Sequence, residues 1–199
     1  MNIASIGSGH IGGTLGKLWA ASGHRVMFGS RDPHGERMRS LLREAGANAA
    51  AGPVREAAAF GEVLLLAVPP SELERIFLDA GDLTGKIVIN CTNRYDGKSA
   101  DGEVRRLAGD ASVVRAFHTL PWEVIADPEY DAINASLFVS GDNAEAKAIV
   151  SGLAADIGLD PVDVGGSAEM AKVEEAITAL WGVFSPLYGR NYGLRVLRR

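Results

Sequence analysis

Three glycines follow the first apolar segment of the chain at a spacing that suits the binding of a diphosphate. Gly7-Ser8-Gly9-His10-Ile11-Gly12 has the spacing G-x-G-x-x-G and comes directly after the apolar run Asn2 to Ile6. In such a turn the first glycine lets the chain reverse, the second leaves room for a pyrophosphate, and the third lets a helix pack closely on the strand. Free N–H groups and the positive end of that helix then face the phosphates. The sequence therefore predicts that all six residues form a dinucleotide-binding turn.

A second polar group follows the next predicted strand, at Gly29-Ser30-Arg31. A fold that binds NAD usually places an acidic residue here, where it accepts a hydrogen bond from the ribose 2′-hydroxyl. A serine hydroxyl and a guanidinium fork instead match the oxygens of a 2′-phosphate. Asp32 comes next and could accept from the ribose, and an ordinary solvated loop is the alternative. The pattern favours NADP over NAD, with Ser30 and Arg31 at the 2′-phosphate.

Two later strand ends are predicted to complete the cofactor groove. Ligands of an open parallel sheet bind at the carboxyl ends of its strands. Ala67, Val68 and Pro69 close the third predicted strand and are expected beside the ribose and the linking phosphates. Thr92 and Asn93 close the fourth and are expected near the nicotinamide.

A fifth strand end is predicted to face the second substrate, and it contains His118, Thr119, Pro121 and Trp122. His118 is the candidate general acid, although positioning of the substrate is the alternative role and the catalytic residue stays unassigned. Trp122 could stack on a flat substrate, or it could be a core or dimer-contact aromatic. Cys91 has no basic partner in sequence, which favours an inert buried thiol. No His, Asp or Glu cluster has metal-ligand spacing, so no metal is expected.

Apolar periodicity predicts strands that alternate with helices along the chain. The predicted strands are Asn2–Ile6, Arg25–Phe28, Val63–Val68, Lys86–Asn90, Val113–Phe117, Leu137–Ser140 and Pro161–Val164. The predicted helices cover residues 11–22, 35–45, 54–60, 72–79 and 143–157, and a last helix follows Ser167 as its N-cap. This order is typical of an α/β protein with a doubly wound parallel Rossmann sheet. We expect an NADP-binding part over residues 1–140 and a small C-terminal α/β extension over residues 141–199.

Composition excludes several classes of protein. The chain has 199 residues, 47% of them apolar, which is enough for one domain with a substantial core. Its net charge of −5 argues against a nucleic-acid partner. With one cysteine, no internal disulfide is possible. No signal peptide or membrane-spanning run is apparent, so a cytoplasmic protein with a small-molecule substrate is the expectation.

Taken together, these motifs resemble the family of coenzyme F420-dependent NADP reductases over essentially the whole chain. The resemblance rests on Gly7 to Gly12, Gly29-Ser30-Arg31, Ala116-Phe117-His118-Thr119-Leu120-Pro121 and Ser140-Gly141-Asp142. It implies a Rossmann domain with a small C-terminal part, NADPH as donor or acceptor, a homodimer, and a cleft in which the F420 deazaflavin ring stacks on the nicotinamide. The segment Cys91 to Gly97 is more polar than the corresponding loop of the family, and Asn93, Arg94 and Tyr95 predict a more polar cleft.

These observations predict an NADPH-dependent oxidoreductase that moves a hydride between NADP(H) and a flat acceptor such as F420 or a flavin. A reductase of small imines or keto acids is one alternative, although Lys172 is the sole lysine near the C-terminal helix that could serve it. A non-enzymatic NADPH-sensing module is the other.

Overall fold

Ten strands and eight α-helices are present in residues 1–94 and 99–199, which the computed structural model of the chain describes. The strands are β1 (Asn2–Ile6), β2 (Arg25–Gly29), β3 (Ala49–Gly52), β4 (Val63–Leu66), β5 (Ile87–Asn90), β6 (Ser112–Arg115), β7 (Glu129–Tyr130), β8 (Ile133–Asn134), β9 (Ser136–Gly141) and β10 (Asp160–Asp163). The helices are α1 (His10–Ala21), α2 (Glu36–Ala45), α3 (Val54–Phe60), α4 (Leu73–Ala80), α5 (Asp101–Ala108), α6 (Trp122–Ala126), α7 (Ala144–Ala155) and α8 (Ser167–Tyr188), and a 3₁₀ turn (Pro70–Glu72) precedes α4.

Within these described ranges, eight strands form one sheet in the order β10-β9-β6-β5-β4-β1-β2-β3, and β7 and β8 form a separate hairpin. All neighbours from β3 across to β6 are parallel. This confirms the predicted doubly wound α/β fold. The C-terminal pair departs from a purely parallel sheet, because β9 runs antiparallel to β6 and β10 follows β9 in parallel. The loops after β1, β2, β4, β5 and β6 therefore leave the same edge of the sheet.

Both faces of the sheet are covered by helices, which explains the continuous apolar run of β4. All four residues of β4 are buried, as expected for a parallel strand between two helical layers. Side chains alternate between two apolar clusters: Val63 and Leu65 pack with α1 and α7 on one face, and Leu64 and Leu66 pack with α3 and α4 on the other. The strand is thus packed on both sides in the middle of the sheet.

Helix α1 is held in place along its whole length. The indole Nε1 of Trp19 donates to the Leu153 carbonyl oxygen of α7 at 2.9 Å, and its ring meets Phe117 edge-on at 5.8 Å between centroids. Gly16 lies directly under the buried ring of Phe28 on β2. The N-terminus of α1 is therefore positioned against the sheet by contacts made one to three turns further along the helix.

The start of α8 differs from the prediction, which made Ser167 the N-cap. Gly166 is the N-cap and Ser167 is the first helical residue. The carboxylate of Glu169 accepts a hydrogen bond from the Gly166 N–H at 3.2 Å, which supplies the capping contact. The hydroxyl of Ser167 instead donates to Asp101 Oδ2 at 2.8 Å and ties α8 to α5.

Two other features bear on the predicted organisation. The proposed boundary after residue 140 falls inside β9, and the division into two parts stays a prediction. Across residues 1–94 and 99–199, none of the helices combines the length and the apolar character that crossing a membrane requires.

The packing of α1 on β2 gives a stability prediction. A methyl group at Gly16 would collide with the Phe28 ring, so Gly16→Ala should destabilise the protein by about 1–3 kcal/mol through overpacking. Gly152→Ala is the matched control, because no atom lies within 4 Å of its added Cβ in α7; it should stabilise by roughly 0.5–1 kcal/mol. Urea denaturation of both variants measures the difference, and equal midpoints would contradict the packing described here.

Candidate functional site

The glycine turn between β1 and α1 is shaped by two close backbone approaches. Gly7 has φ +109°, a conformation that side chains rarely adopt, and a Cβ on it would collide with the Ala67 carbonyl oxygen. A Cβ on Gly12 would collide with the Gly7 carbonyl oxygen. Gly9 differs, because nothing lies within 4 Å of the position of its Cβ. The turn is thus closed on the protein side and open at Gly9.

The N-terminus of α1 fits a bound diphosphate. Gly9 is the N-cap and no side chain caps the helix, so the first-turn N–H groups lack a side-chain acceptor of their own. Unsatisfied N–H groups and the helix dipole make such an end a ready anion site. Ser5 supports the turn from beneath, where its hydroxyl donates to the Gly12 carbonyl oxygen at 3.0 Å.

The end of β2 carries an exposed cation beside the turn. The side chain of Arg31 is 77% exposed, and its Nη1 lies 3.9 Å from Glu72 Oε2. Glu72 is itself bound by Arg75 Nη2 at 2.6 Å, so it leaves Arg31 weakly held. Ser30 Oγ accepts from the Asp32 N–H at 3.1 Å, and the Asp32 carboxylate lies against Gly35 at the start of α2. The guanidinium is therefore the group at this strand end that is most accessible to an anion.

Ala67 and Val68, after β4, lie directly beside the glycine turn. The Ala67 N–H donates to the Ile6 carbonyl oxygen at 3.0 Å, and its own carbonyl packs against Gly7. Pro69 is exposed and leads into the 3₁₀ turn. The ends of β1 and β4, which are distant in sequence, therefore lie side by side along one wall of the groove.

The loops after β5 and β6 are hydrogen-bonded to each other. Asn93 Nδ2 donates to the His118 carbonyl oxygen at 2.8 Å. Arg115 lies almost fully buried between the loops, with Nη1 donating to the Thr92 carbonyl oxygen at 2.6 Å and Nη2 to Asn93 Oδ1 at 3.3 Å. The side chain of Asn93 is therefore engaged with the neighbouring loop.

Phe117 shapes the loop that carries His118. It has φ +64° and is fully buried, although it is not a glycine. A bulky residue in the left-handed region costs backbone energy and persists only where the surrounding packing fixes it, a pattern that is common at functional sites. Here its ring is fixed against Trp19. The strained residue turns the chain immediately before His118.

The side chain of Trp122 packs against the glycine turn. Its ring stacks on His10 of the glycine turn, with 5.2 Å between centroids and 21° between planes. The pair borders a cleft of about 360 Å³ that extends along α1 to Arg37 and Ser40 of α2. Thr119 and Pro121 lie elsewhere: they line a small cavity of about 20 Å³ beneath α8, together with Trp181 and Tyr192.

The single cysteine is unsuited to nucleophilic chemistry. Burial raises the pKa of the Cys91 thiol to about 12, against the opposing charge of Arg115. A thiol in that state carries almost no thiolate near neutral pH, and the thiolate is the reactive form.

His118, in the loop after β6, is buried, with 8% of its surface exposed. Burial lowers the pKa of its imidazole; the Arg115 charge adds to that effect and the Glu174 carboxylate opposes it. The ring is therefore neutral near pH 7, which argues against a role as a ready proton donor.

Two residues of this region carry no sequence signal. Arg115 ends a strand and Glu174 lies on α8, 59 residues later, yet the Arg115 Nε donates to Glu174 Oε1 at 2.9 Å. Nothing in the local pattern of either residue predicts this contact. Of the polar loop residues, Arg94 pairs with Glu103 at 3.2 Å, and Tyr95 lies outside the described residues.

Comparison with known proteins places the chain in a family. The family model described as "NADP oxidoreductase coenzyme F420-dependent" matches residues 2–94. The hypothetical protein SMa0349 from Sinorhizobium meliloti is 31% identical, with 86% of this chain and 88% of that chain covered and a TM-score of 0.77. A protein of Arthrobacter sp. FB24 assigned as an F420-dependent NADP reductase is 25% identical, with 98% and 99% covered and a TM-score of 0.85.

A longer relative is the metalloreductase STEAP3 of Rattus norvegicus, which is 29% identical over 182 residues. That alignment covers 86% of this chain but only 35% of STEAP3, so the chain spans about a third of that protein.

The parallel sheet and the glycine turn at the end of its first strand are typical of a dinucleotide-binding fold. With the matches above, the chain belongs to the family of F420-dependent NADP oxidoreductases. It is an NADP-dependent oxidoreductase.

Proposed function

We propose that the protein transfers a hydride between NADP(H) and a flat acceptor, with F420 or a free flavin as the acceptor class. The observation that carries this proposal is the open, uncapped N-terminus of α1 at Gly9, flanked by the exposed guanidinium of Arg31. The helix N-terminus suits the pyrophosphate that dinucleotides share, and the guanidinium suits the 2′-phosphate that distinguishes NADP from NAD.

In this proposal the glycine turn, residues 7–12, holds the pyrophosphate, and Ser30 and Arg31 hold the 2′-phosphate. Ala67, Val68 and Pro69 line the groove on the β4 side, and Thr92 and Asn93 lie towards the nicotinamide. NADPH supplies the hydride when bound, and the protein's own contribution is to hold the acceptor against it and to exclude water.

The acceptor side is proposed to involve the loop of His118, Thr119, Pro121 and Trp122, in which Trp122 borders the cleft along α1 while Thr119 and Pro121 line the small cavity beneath α8. Because His118 is buried and neutral, we assign it a positional role and propose no proton transfer from it. Hydride transfer between two planar rings needs alignment more than acid catalysis. Lys172, the lysine near the C-terminal helix that could serve an imine reductase, is exposed on α8 and does not line the site described above, which favours the flat acceptor.

The acceptor is tested by following NADPH oxidation by the pure protein at 340 nm. F420, FMN, FMN with a ferric chelate, a cyclic imine and no acceptor are run side by side. Oxidation with F420 or FMN and not with the imine supports the proposal. Oxidation with the imine alone, or NADPH binding with no oxidation by any acceptor, contradicts it.

We further propose that α8 mediates a homodimer. Val183, Leu187 and Tyr188 are large apolar residues that are 58%, 67% and 63% exposed in the single chain. Together they form an apolar surface at the C-terminal end of α8, of the kind that marks protein contacts.

Leu187→Glu should convert the dimer to a monomer, because a buried unpaired carboxylate in an apolar contact is costly. Leu78→Glu is the matched control: Leu78 is 77% exposed on α4, at a different surface. Sedimentation velocity measures both variants and the unchanged protein. A monomeric unchanged protein, or a dimer that survives Leu187→Glu, would contradict the proposed contact.

Arg31→Ala should weaken NADPH binding about 10- to 100-fold, the scale of a lost hydrogen bond to a charged group, and should leave NADH binding nearly unchanged. Arg39→Ala removes the same charge from an exposed position on α2 and should affect neither cofactor by more than about twofold. Fluorescence titration measures all four affinities. Equal losses for NADPH and NADH would refute the 2′-phosphate assignment.

A further inference from the structure

Four residues from three segments form a closed ring of polar contacts under the proposed acceptor side of the site, and one link of the ring is made by a main-chain carbonyl. Arg115 Nε donates to Glu174 Oε1 at 2.9 Å, and Arg115 Nη2 donates to Asn93 Oδ1 at 3.3 Å. Asn93 Nδ2 donates to the His118 carbonyl oxygen at 2.8 Å. His118 Nε2 lies 2.9 Å from the same Glu174 oxygen, which closes the ring.

Glu174 is the member of this ring that comes from outside the sheet edge. The side chains of Arg115 and His118 are only 3% and 2% exposed, whereas that of Glu174 is 22% exposed. Burial alone would raise the pKa of the Glu174 carboxyl, but the contact from His118 and the charge of Arg115 outweigh it and hold the pKa below its ordinary value. The carboxylate is therefore ionised and acts only as an acceptor.

Glu174 is the charged partner that the buried guanidinium of Arg115 needs. A guanidinium this deeply buried is stable only with a charged partner and good hydrogen bonds. Its other donors meet backbone and amide oxygens of the β5 loop, at Thr92 and Asn93. Since Glu174 supplies the carboxylate, the position of α8 is coupled to the relative position of the two loops.

We propose that Glu174 is the positioning residue for the acceptor side of the site: its carboxylate holds His118 and Arg115 in one arrangement and so fixes the loop after β6 relative to the loop after β5. The inference rests on the proposed function, because it places the acceptor against these loops. It assigns to α8 a part in the site that neither motif spacing nor family membership gives it.

The ring also selects one form of His118. A carboxylate oxygen can only accept, and at 2.9 Å from Nε2 it favours the tautomer of the neutral ring whose single proton is on Nε2. The contact departs from the ideal hydrogen-bond direction, and Arg115 and Glu174 are the charged groups that act on the ring. The Ala116 carbonyl competes for a proton on Nδ1, but it is uncharged and the weaker acceptor.

Three variants of the full chain test the proposal: Glu174→Ala, Glu174→Gln and the control Glu175→Ala, an exposed neighbour on α8. The readouts are the NADPH affinity, the ¹⁵N NMR spectrum of the histidine rings, and KM and kcat for the acceptor. The chain has four histidines, and a His118→Asn spectrum identifies the resonances of His118.

For Glu174→Ala we expect NADPH affinity within about twofold, an acceptor KM raised about tenfold with a smaller change in kcat, and loss of the pure Nε2–H form of His118. Glu174→Gln keeps an oxygen acceptor and should restore the Nε2–H form and part of the KM. It removes the charge that faces Arg115 but keeps the side-chain volume and an oxygen that can accept from the guanidinium, so it disturbs this buried region less and keeps the test decisive if Glu174→Ala does not fold.

An unchanged His118 spectrum with unchanged KM in a folded Glu174 variant would overturn the proposal, as would equal effects of Glu175→Ala. If no acceptor is turned over, the proposed function fails by itself. The NMR spectrum then still decides whether Glu174 holds His118: a change of tautomer in Glu174→Ala supports the ring, and an unchanged spectrum refutes it.

Discussion

The contact between Gly12 and the Gly7 carbonyl is the constraint on which the rest of the structure depends. It lets α1 begin right at the end of β1, with its first N–H groups at the sheet edge. Any side chain at Gly12 would push the helix away from the strand. The buried contacts of Trp19 and the packing of Gly16 on Phe28 then hold α1 at that distance. An anion site of this kind is a consequence of backbone packing and needs no side chain of its own.

A second constraint is the contact that ties α8 to the end of β6, at the same edge of the sheet as the glycine turn. Arg115 is buried among carbonyl oxygens and requires a carboxylate, which Glu174 provides from α8. The N-terminal part of the chain supplies the proposed cofactor groove. The proposed acceptor side, by contrast, depends on residues that lie far apart in the chain.

The features that the sequence predicted correctly are those that depend on residues close together in the chain. The order of β1, α1 and β2, the glycine turn and the exposed Arg31 follow from short-range spacing. Strand β3 was missed because Ala49 to Gly52 has no β-branched or aromatic residue, and it is a strand because it pairs with β2. Helices α5 and α6 were missed as well. The Arg115–Glu174 contact joins residues 59 positions apart, and only the tertiary packing of α8 brings them together.

The measurement that tests the central claim most directly is a calorimetric titration of the unmodified protein with NADPH and, separately, with NADH. The claim is that a dinucleotide with a 2′-phosphate binds at the glycine turn and meets Arg31. It predicts one site per chain and an affinity for NADPH at least about tenfold above that for NADH, the value of one charge-assisted hydrogen bond. Equal affinities, or tighter binding of NADH, would contradict it.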